Sequence, residues 1–277
     1  MVGHYRSLFA LVIAATTAAV GCVGNASESE EELTEESEAD LDSVEPEKTS
    51  IENKTIPSYA DVEDLEGTAL REALFDKIKS HRSLGYNKAR KTMFARDAAG
   101  FQTDNGKIEC VYTGRLASPN GTTTVSSFNT EHSWPQSDGA NREPAKSDLH
   151  HLFPSDSRAN SSRSNFPFGE PACAKPGSMV RCSFDQGGSF MGKDQAGKNT
   201  FEVRPEKRGD IARAHFYMAV RYNLRIPNTE EVVLREWNDE DPVDAIEQKR
   251  NAAIESVQNN RNPFVDRPDF VAKIADF

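Results

Sequence analysis

The chain has 277 residues and a formal net charge of −11, and 28% of its residues are charged. Its one long apolar run, Leu8 to Val20, is too short to span a bilayer and no other approaches it, which excludes a chain built from membrane-spanning helices. No C-x-x-C or H-E-x-x-H spacing occurs, which argues against a structural zinc site and a zincin protease.

In chain order, residues 1–22 come first. The early Arg6, the apolar run and the small residues Ala19 to Gly21 form an export signal. The ending Ala19-Val20-Gly21-Cys22 resembles a bacterial lipoprotein box, which predicts acylation of Cys22. Ordinary signal cleavage nearby, giving a freely secreted protein, is the alternative. Residues 23–56 are an acidic tether: positions 27–56 hold twelve Asp or Glu against Lys48 and Lys54, too little apolar surface to fold by itself. The tether therefore accounts for nearly all of the net charge, and residues 57–277 are close to neutral. The acidic balance does not count against an anionic partner, although it offers no support for one.

Residues 57–277 are enough for one substantial core, with no internal repeat or flexible linker dividing them. Leu70, Leu74 and Ile78 recur at helical spacing in "TALREALFDKIKSH", and "YNKARKTMFA" repeats the pattern. "KIECVYTG" reads as a strand, with Cys110 buried in it. Cys173 and Cys182 flank "AKPGSMVR", and a local disulfide joins them in this reading. Downstream, "GDIARAHFYMAVRYN" places Ile211, Ala214, Met218 and Tyr222 on one helical face behind Asp210 as N-cap. "DPVDAIEQKRNAAIESVQ" opens a further helix on Asp241 and Pro242. The ends read as helical and the middle, about 100 to 200, as irregular and the place to look for chemistry.

Within that middle, "NTEHSWPQS" sets Glu131 beside His132, two residues before a Trp-Pro pair. Adjacent side chains of a regular strand face opposite ways, so the pair can serve one task only where a strand ends. Pro135 holds Trp134 extended and removes the next backbone donor, which fixes such an end. From Glu131 to Glu170 the chain gathers carboxylates, three histidines, several Asn and several Arg among Trp134, Phe153, Phe166 and Phe168. Hard oxygen donors suit Mg²⁺, and a neutral imidazole can accept a proton, so the cluster resembles the parts of a metal-assisted hydrolase. A surface Glu and a satisfied His in a turn remain the plainer account of the pair alone.

The ordered motifs N-x-E-H-x-W-P, S-D-L-H-H-L-F-P-S-D and A-N-S-x-R-S-N-x-P-F-G resemble the bacterial endonuclease I family. "CVYTG", "FEVRPEKRGDIARAHFYMAVRYN" and "NNRNPFVDRP" extend the resemblance to roughly residues 65–277. It implies an α+β fold, a mainly helical domain around a ββα-metal (His-Me finger) core. The first strand would end at "FNTEH", the second run through "SDLHHL", and the helix beyond Pro154 present Asn160. Glu131 and Asn160 then match the ligands of one Mg²⁺, with Mn²⁺ or Ca²⁺ as the ions that would stand in its place, and His132 matches the general base. Cleavage would leave 5′-phosphate and 3′-hydroxyl ends.

Other residues have weaker claims. Asp148 and His150, two apart on the expected second strand, would orient the ligands. Arg163, three beyond Asn160, would reach the scissile phosphate or form a structural salt bridge, with Arg142 and Arg158 as alternatives. Arg250 and Arg261 read as structural. The resulting expectation is an exported monomeric endonuclease acting on DNA, with RNA open, and touching a membrane only through Cys22. Its rival is a noncatalytic surface lipoprotein that binds nucleic acid or matrix on a nuclease scaffold.

Overall fold

The computed structural model describes residues 56–98 and 100–277; the export signal, Cys22 and all but the last residue of the tether lie outside them. Helix α1 (Gly67–Ile78) buries Leu70, Leu74 and Ile78, the stripe their spacing predicts, and α2 (Tyr86–Met93) buries Ala89 and Met93. The run at 107–114 yields only a short strand, β1 (Ile108–Glu109), paired with β2 (Leu116–Ala117). After Glu109 the chain closes a turn in which Cys110 N–H donates to Arg115 O and Gly114 N–H to Cys110 O. That turn carries the fully buried Tyr112.

Strand β3 (Phe128–His132) pairs antiparallel with β4 (Leu152–Asp156), with Glu131 opposite Phe153 and His132 opposite Leu152. Helix α3 (Ser157–Arg163) follows β4 without a loop, because Asp156 closes the strand and caps the helix by accepting from Arg158 N–H at 2.9 Å. The second strand therefore starts later than "SDLHHL" suggests. Residues Ala145–Ser147 form a 3-10 turn and 148–151 turn again before the ladder begins. Asp148 favours that turn by accepting from His150 N–H at 3.0 Å, a local bond that competes with strand pairing.

The middle is not irregular: among the described residues it holds all of the strands. Strands β5 (Phe184–Gln186), β6 (Ser189–Lys193) and β7 (Asn199–Glu202) form an antiparallel meander, with Gly187 and Gly188 at positive φ in the first hairpin. Strands this short show little alternation in sequence. A disulfide joins Cys173 to Cys182, and Cys110 is buried and free.

The C-terminal helices enclose the core. Helix α4 (Arg208–Arg221) is buried at every position from Gly209 to Val220 and packs against α1, α5 (Asn228–Glu240) and α7 (Pro263–Asp266). It starts two residues before Asp210, which lies in its first turn and pairs with Lys207 instead of capping. The cap comes from afar: Asp241 accepts from Gly209 N–H at 2.9 Å. Helix α6 (Ala245–Gln258) is capped by Asp244, which accepts from Glu247 N–H at 2.7 Å, so Asp241 and Pro242 precede the helix they were expected to open. A Cβ on Gly209 would lie 2.0 Å from Asp241 O, so this approach requires glycine. Helix α8 (Phe270–Lys273) completes the chain, and no helix among the described residues is long and apolar enough to cross a membrane.

Candidate active site

Glu131 and His132 sit at the end of β3 in different surroundings, as the period of a strand requires. Glu131 is 1% exposed. Its Oε1 accepts from Tyr112 Oη at 2.8 Å and lies 3.2 Å from Arg163 Nη1. Burial pushes its carboxyl up to about 7, only partly opposed by Arg163 and the tyrosine donor. Both contacts fall on Oε1, so Oε2 has no protein donor among the described residues.

Asn160 reaches β3 from α3. Its Nδ2 donates to Asn129 Oδ1 at 2.9 Å and to Thr130 O at 3.1 Å, beside the peptide that joins Thr130 to Glu131. With both amide hydrogens engaged, the orientation of the amide is set and Oδ1 remains as an unengaged acceptor. Glu131 Oε2 and Asn160 Oδ1 are thus two hard oxygens without a donor among the described residues, on side chains of which one belongs to β3 and the other is bonded to it. Burial opposes the charge of this carboxylate, and Arg163 is the one cation paired with it among the described residues. This donor set fits a hard divalent cation that keeps most of its waters. No cluster of three or more His, Cys, Asp or Glu suited to a metal occurs among the described residues.

His132 turns the other way. Its Nε2 lies 3.1 Å from Lys146 O, a carbonyl that can only accept, so Nε2 carries the hydrogen and Nδ1 holds the lone pair. Gln136 Nε2 stands 3.5 Å from Nδ1. The ring lies between those of Tyr86 and His151, each 5.3 Å away, and burial holds the imidazole in its neutral form, down to about 3. Trp134 is buried, donates from Nε1 to Asp138 O at 2.9 Å and packs on His215, which fixes the chain leaving the strand.

Arg163 is brought to the same place and is itself buried. Its Nη1 donates to His132 O at 3.2 Å and its Nη2 to Ser133 O at 2.7 Å, and the guanidinium lies over Phe168. It ties the carbonyls at the end of β3 to Glu131. Arg142 and Arg158 are exposed, with no ion pair among the described residues. Arg250 donates to Leu149 O and Leu152 O, and Arg261 pairs with Asp266 and Glu255.

The expected role of Asp148 and His150 is corrected. Since β4 begins only at Leu152, the two share no strand face, and neither touches Glu131, His132 or Asn160. Asp148 accepts from Tyr217 and Tyr222 hydroxyls at 2.7 and 2.8 Å and from Gln258 Nε2 at 3.0 Å. His150 packs on Tyr217, ring centroids 4.4 Å apart. It is His151 that lies beside the His132 ring. Sequence reasoning missed Tyr112, Tyr86 and Lys146 as neighbours of the pair, although Tyr112 stands in the quoted "CVYTG" and Lys146 just before "SDLHHL".

The chain belongs to the endonuclease I family, whose model matches residues 66–269. It is 33% identical over 239 residues to an extracellular ribonuclease of Bacillus amyloliquefaciens, covering 78% of this chain and 77% of that protein. An extracellular ribonuclease of Bacillus subtilis is 32% identical over 241 residues with the same coverage. An extracellular deoxyribonuclease of Aeromonas hydrophila is 32% identical over 132 residues, covering 48% of this chain and 53% of that protein.

Proposed function

We propose that the chain is an exported, metal-dependent endonuclease that hydrolyses phosphodiester bonds of nucleic acid, RNA as well as DNA, with little sequence preference. The observation that carries this reading is His132, one residue from a buried carboxylate, with Nε2–H engaged by Lys146 O and Nδ1 an acceptor that meets only the long contact from Gln136 Nε2, at 3.5 Å. His132 Nδ1 takes a proton from the attacking water. Glu131 and Asn160 would hold Mg²⁺ through Oε2 and Oδ1. Bound there, the ion supplies neutralisation of the charge that builds on the phosphate oxygens and eases departure of the 3′ oxygen, leaving a 5′-phosphate. Arg163, buried on His132 O, Ser133 O and Glu131, is a positioning residue in this reading. Both substrate types are included because the ribonuclease relatives match over most of the chain and the deoxyribonuclease over about half.

The test is digestion of plasmid, single-stranded DNA and RNA with Mg²⁺, against an EDTA control and His132→Ala. Wild-type cleavage should stop in EDTA and fall by roughly two orders of magnitude or more in the variant, the scale of losing a general base. A folded His132→Ala protein with near-normal rates would overturn the assignment; a wild type inert on all three substrates would leave the noncatalytic binding reading in its place.

Export and anchoring belong to the same proposal and rest on residues 1–22 and on the extracellular and periplasmic relatives. If Cys22 is acylated, the protein should partition into detergent with membranes and Cys22→Ser should lose that behaviour. Recovery of wild-type protein wholly in the medium, with an N-terminus beyond residue 22, would sink the anchor and leave the nuclease reading intact.

A further inference from the structure

The surroundings of His132 hold an arrangement that the reaction as described does not use. Tyr86, at the start of α2, packs on the His132 ring at 5.3 Å and is itself only half-buried. Two cations lie over it: Lys146 Nζ is 5.4 Å and Arg90 Cζ 5.1 Å from the ring centroid. Arg90, one helical turn beyond Tyr86, is steadied by donating from Nε to Thr123 O at 3.2 Å. Lys146 is steadied by its backbone, since its carbonyl accepts from His132.

Neither cation forms an ion pair with a carboxylate among the described residues; Arg142 and Arg158 share that property, but it is Lys146 and Arg90 that lie on the ring packed against His132, and other cations close to the site do other work. Arg163 is paired with Glu131, Arg115 with Asp156, and Arg250 is spent on carbonyls. Two like charges gathered on one ring repel each other and oppose any positive charge on His132. The cost is offset when an anion comes within reach of both, and the anion that a nucleic acid presents next to its reacting phosphate is another phosphate.

We infer that Lys146 and Arg90, seated on Tyr86, form a subsite for the phosphodiester adjacent to the scissile one. The inference rests on the reading of His132 as the base of a nuclease and adds a substrate contact to it. The subsite uses charge and reads no base, which suits a substrate of any sequence. It also sets a minimum length: a dinucleotide, with its single phosphate, leaves the subsite empty, and a trinucleotide fills it. Lys146 connects the two functions, fixing the tautomer of the base through its carbonyl and the neighbouring phosphate through its ammonium.

Two measurements test this with Lys146→Met, Arg90→Gln and the charge-preserving Arg90→Lys. The first is binding of fluorescent DNA and RNA 12-mers in EDTA across a salt series, which needs no catalysis. Each charge-removing variant should lower the slope of log affinity on log salt by about one, and the double variant by about two. Arg90→Lys should restore most of the slope. The second compares KM for a trinucleotide and a dinucleotide with Mg²⁺. The penalty should fall on the trinucleotide, about tenfold beyond that on the dinucleotide.

Unchanged salt slopes in folded variants would overturn the subsite, as would equal penalties on both lengths, which mark a structural effect on His132. Failure of the nuclease reading looks different. Wild-type protein would then cleave neither length whatever the salt slopes showed.

Discussion

Glu131 places both of its donors, Tyr112 Oη and Arg163 Nη1, on one carboxylate oxygen, and Asn160 spends both amide hydrogens on Asn129 and Thr130. What remains on each side chain is a single acceptor whose direction the neighbours set. Glu131→Ala and Asn160→Ala should each raise the Mg²⁺ concentration for half-maximal cleavage by about tenfold or more, since each removes one of few protein oxygens. Metal titrations that overlay the wild type in both variants would show the ligands to be elsewhere. At this scale the nearness of Glu131, His132 and Asn160 was legible, because all three stand in the motifs that carry the family resemblance, and the structure brings Asn160 onto the strand that ends in the other two. Lys146 was not: the bond that fixes His132 uses its backbone carbonyl, which any residue could supply. Tyr112 was hidden for a related reason, since its distance from Glu131 is set by the turn after β1, and turn geometry is not written in an apolar pattern.

The elements divide in the same way. Helix α1 could be read because its buried positions, Leu70, Leu74 and Ile78, are apolar at helical spacing, and α4 because one face of it carries Ile211, Ala214 and Met218, although burial extends right round it to Asp210, Arg213 and His215. Helix α5 was passed over because its buried face includes Glu230, Glu231 and Asn238, which break that spacing. Glu230 is there to accept from Phe168 N–H at 2.8 Å and Glu231 to hold Arg235. The displaced second strand has the same cause, a buried polar group with distant partners. Asp148 joins the turn before β4 to α4 and the end of α6, and its four donors come from His150, Tyr217, Tyr222 and Gln258. Burial opposes its charge, yet the donors gathered on it, Gln258 Nε2 among them, keep it well below the usual carboxylate range. Asp148→Ala should therefore cost about 3 kcal/mol or more, as several buried donors lose their acceptor. Urea unfolding gives the number. A loss under about 1 kcal/mol would mean that water or another acceptor replaces the carboxylate and that the turn does not depend on it.

For the molecule as a whole, the sequence shows six histidines and nothing of their burial. Each of the five among the described residues is held below its ordinary value, burial being the largest cause in every case. His150 and His215 are both 2% exposed and both held down to about 3. His215 is the cleaner probe, because its contact is with the Ser133 carbonyl, at 2.9 Å, rather than with a carboxylate. Between the unfolded value near 6.5 and about 3, the unfolded chain binds a proton that the folded chain refuses. Stability from such a group is complete above 6.5 and is lost as pH falls through that window, by about 1.4 kcal/mol per pH unit. Buried carboxyls pushed upward, Glu131 among them, change stability in the opposite sense above their unfolded values, so the curve of the whole protein is a balance. The difference between wild type and His215→Gln isolates one term. Gln can still donate to Ser133 O but does not titrate, so the wild type should gain on the variant as pH rises from 4.5 to 6.5 and hold a constant lead beyond. Urea unfolding in EDTA at pH 4.5, 5.5, 6.5 and 7.5 reads this directly. A difference that does not change with pH would mean that His215 takes up a proton in the folded protein as readily as in the unfolded chain, and that water reaches the inner face of α4.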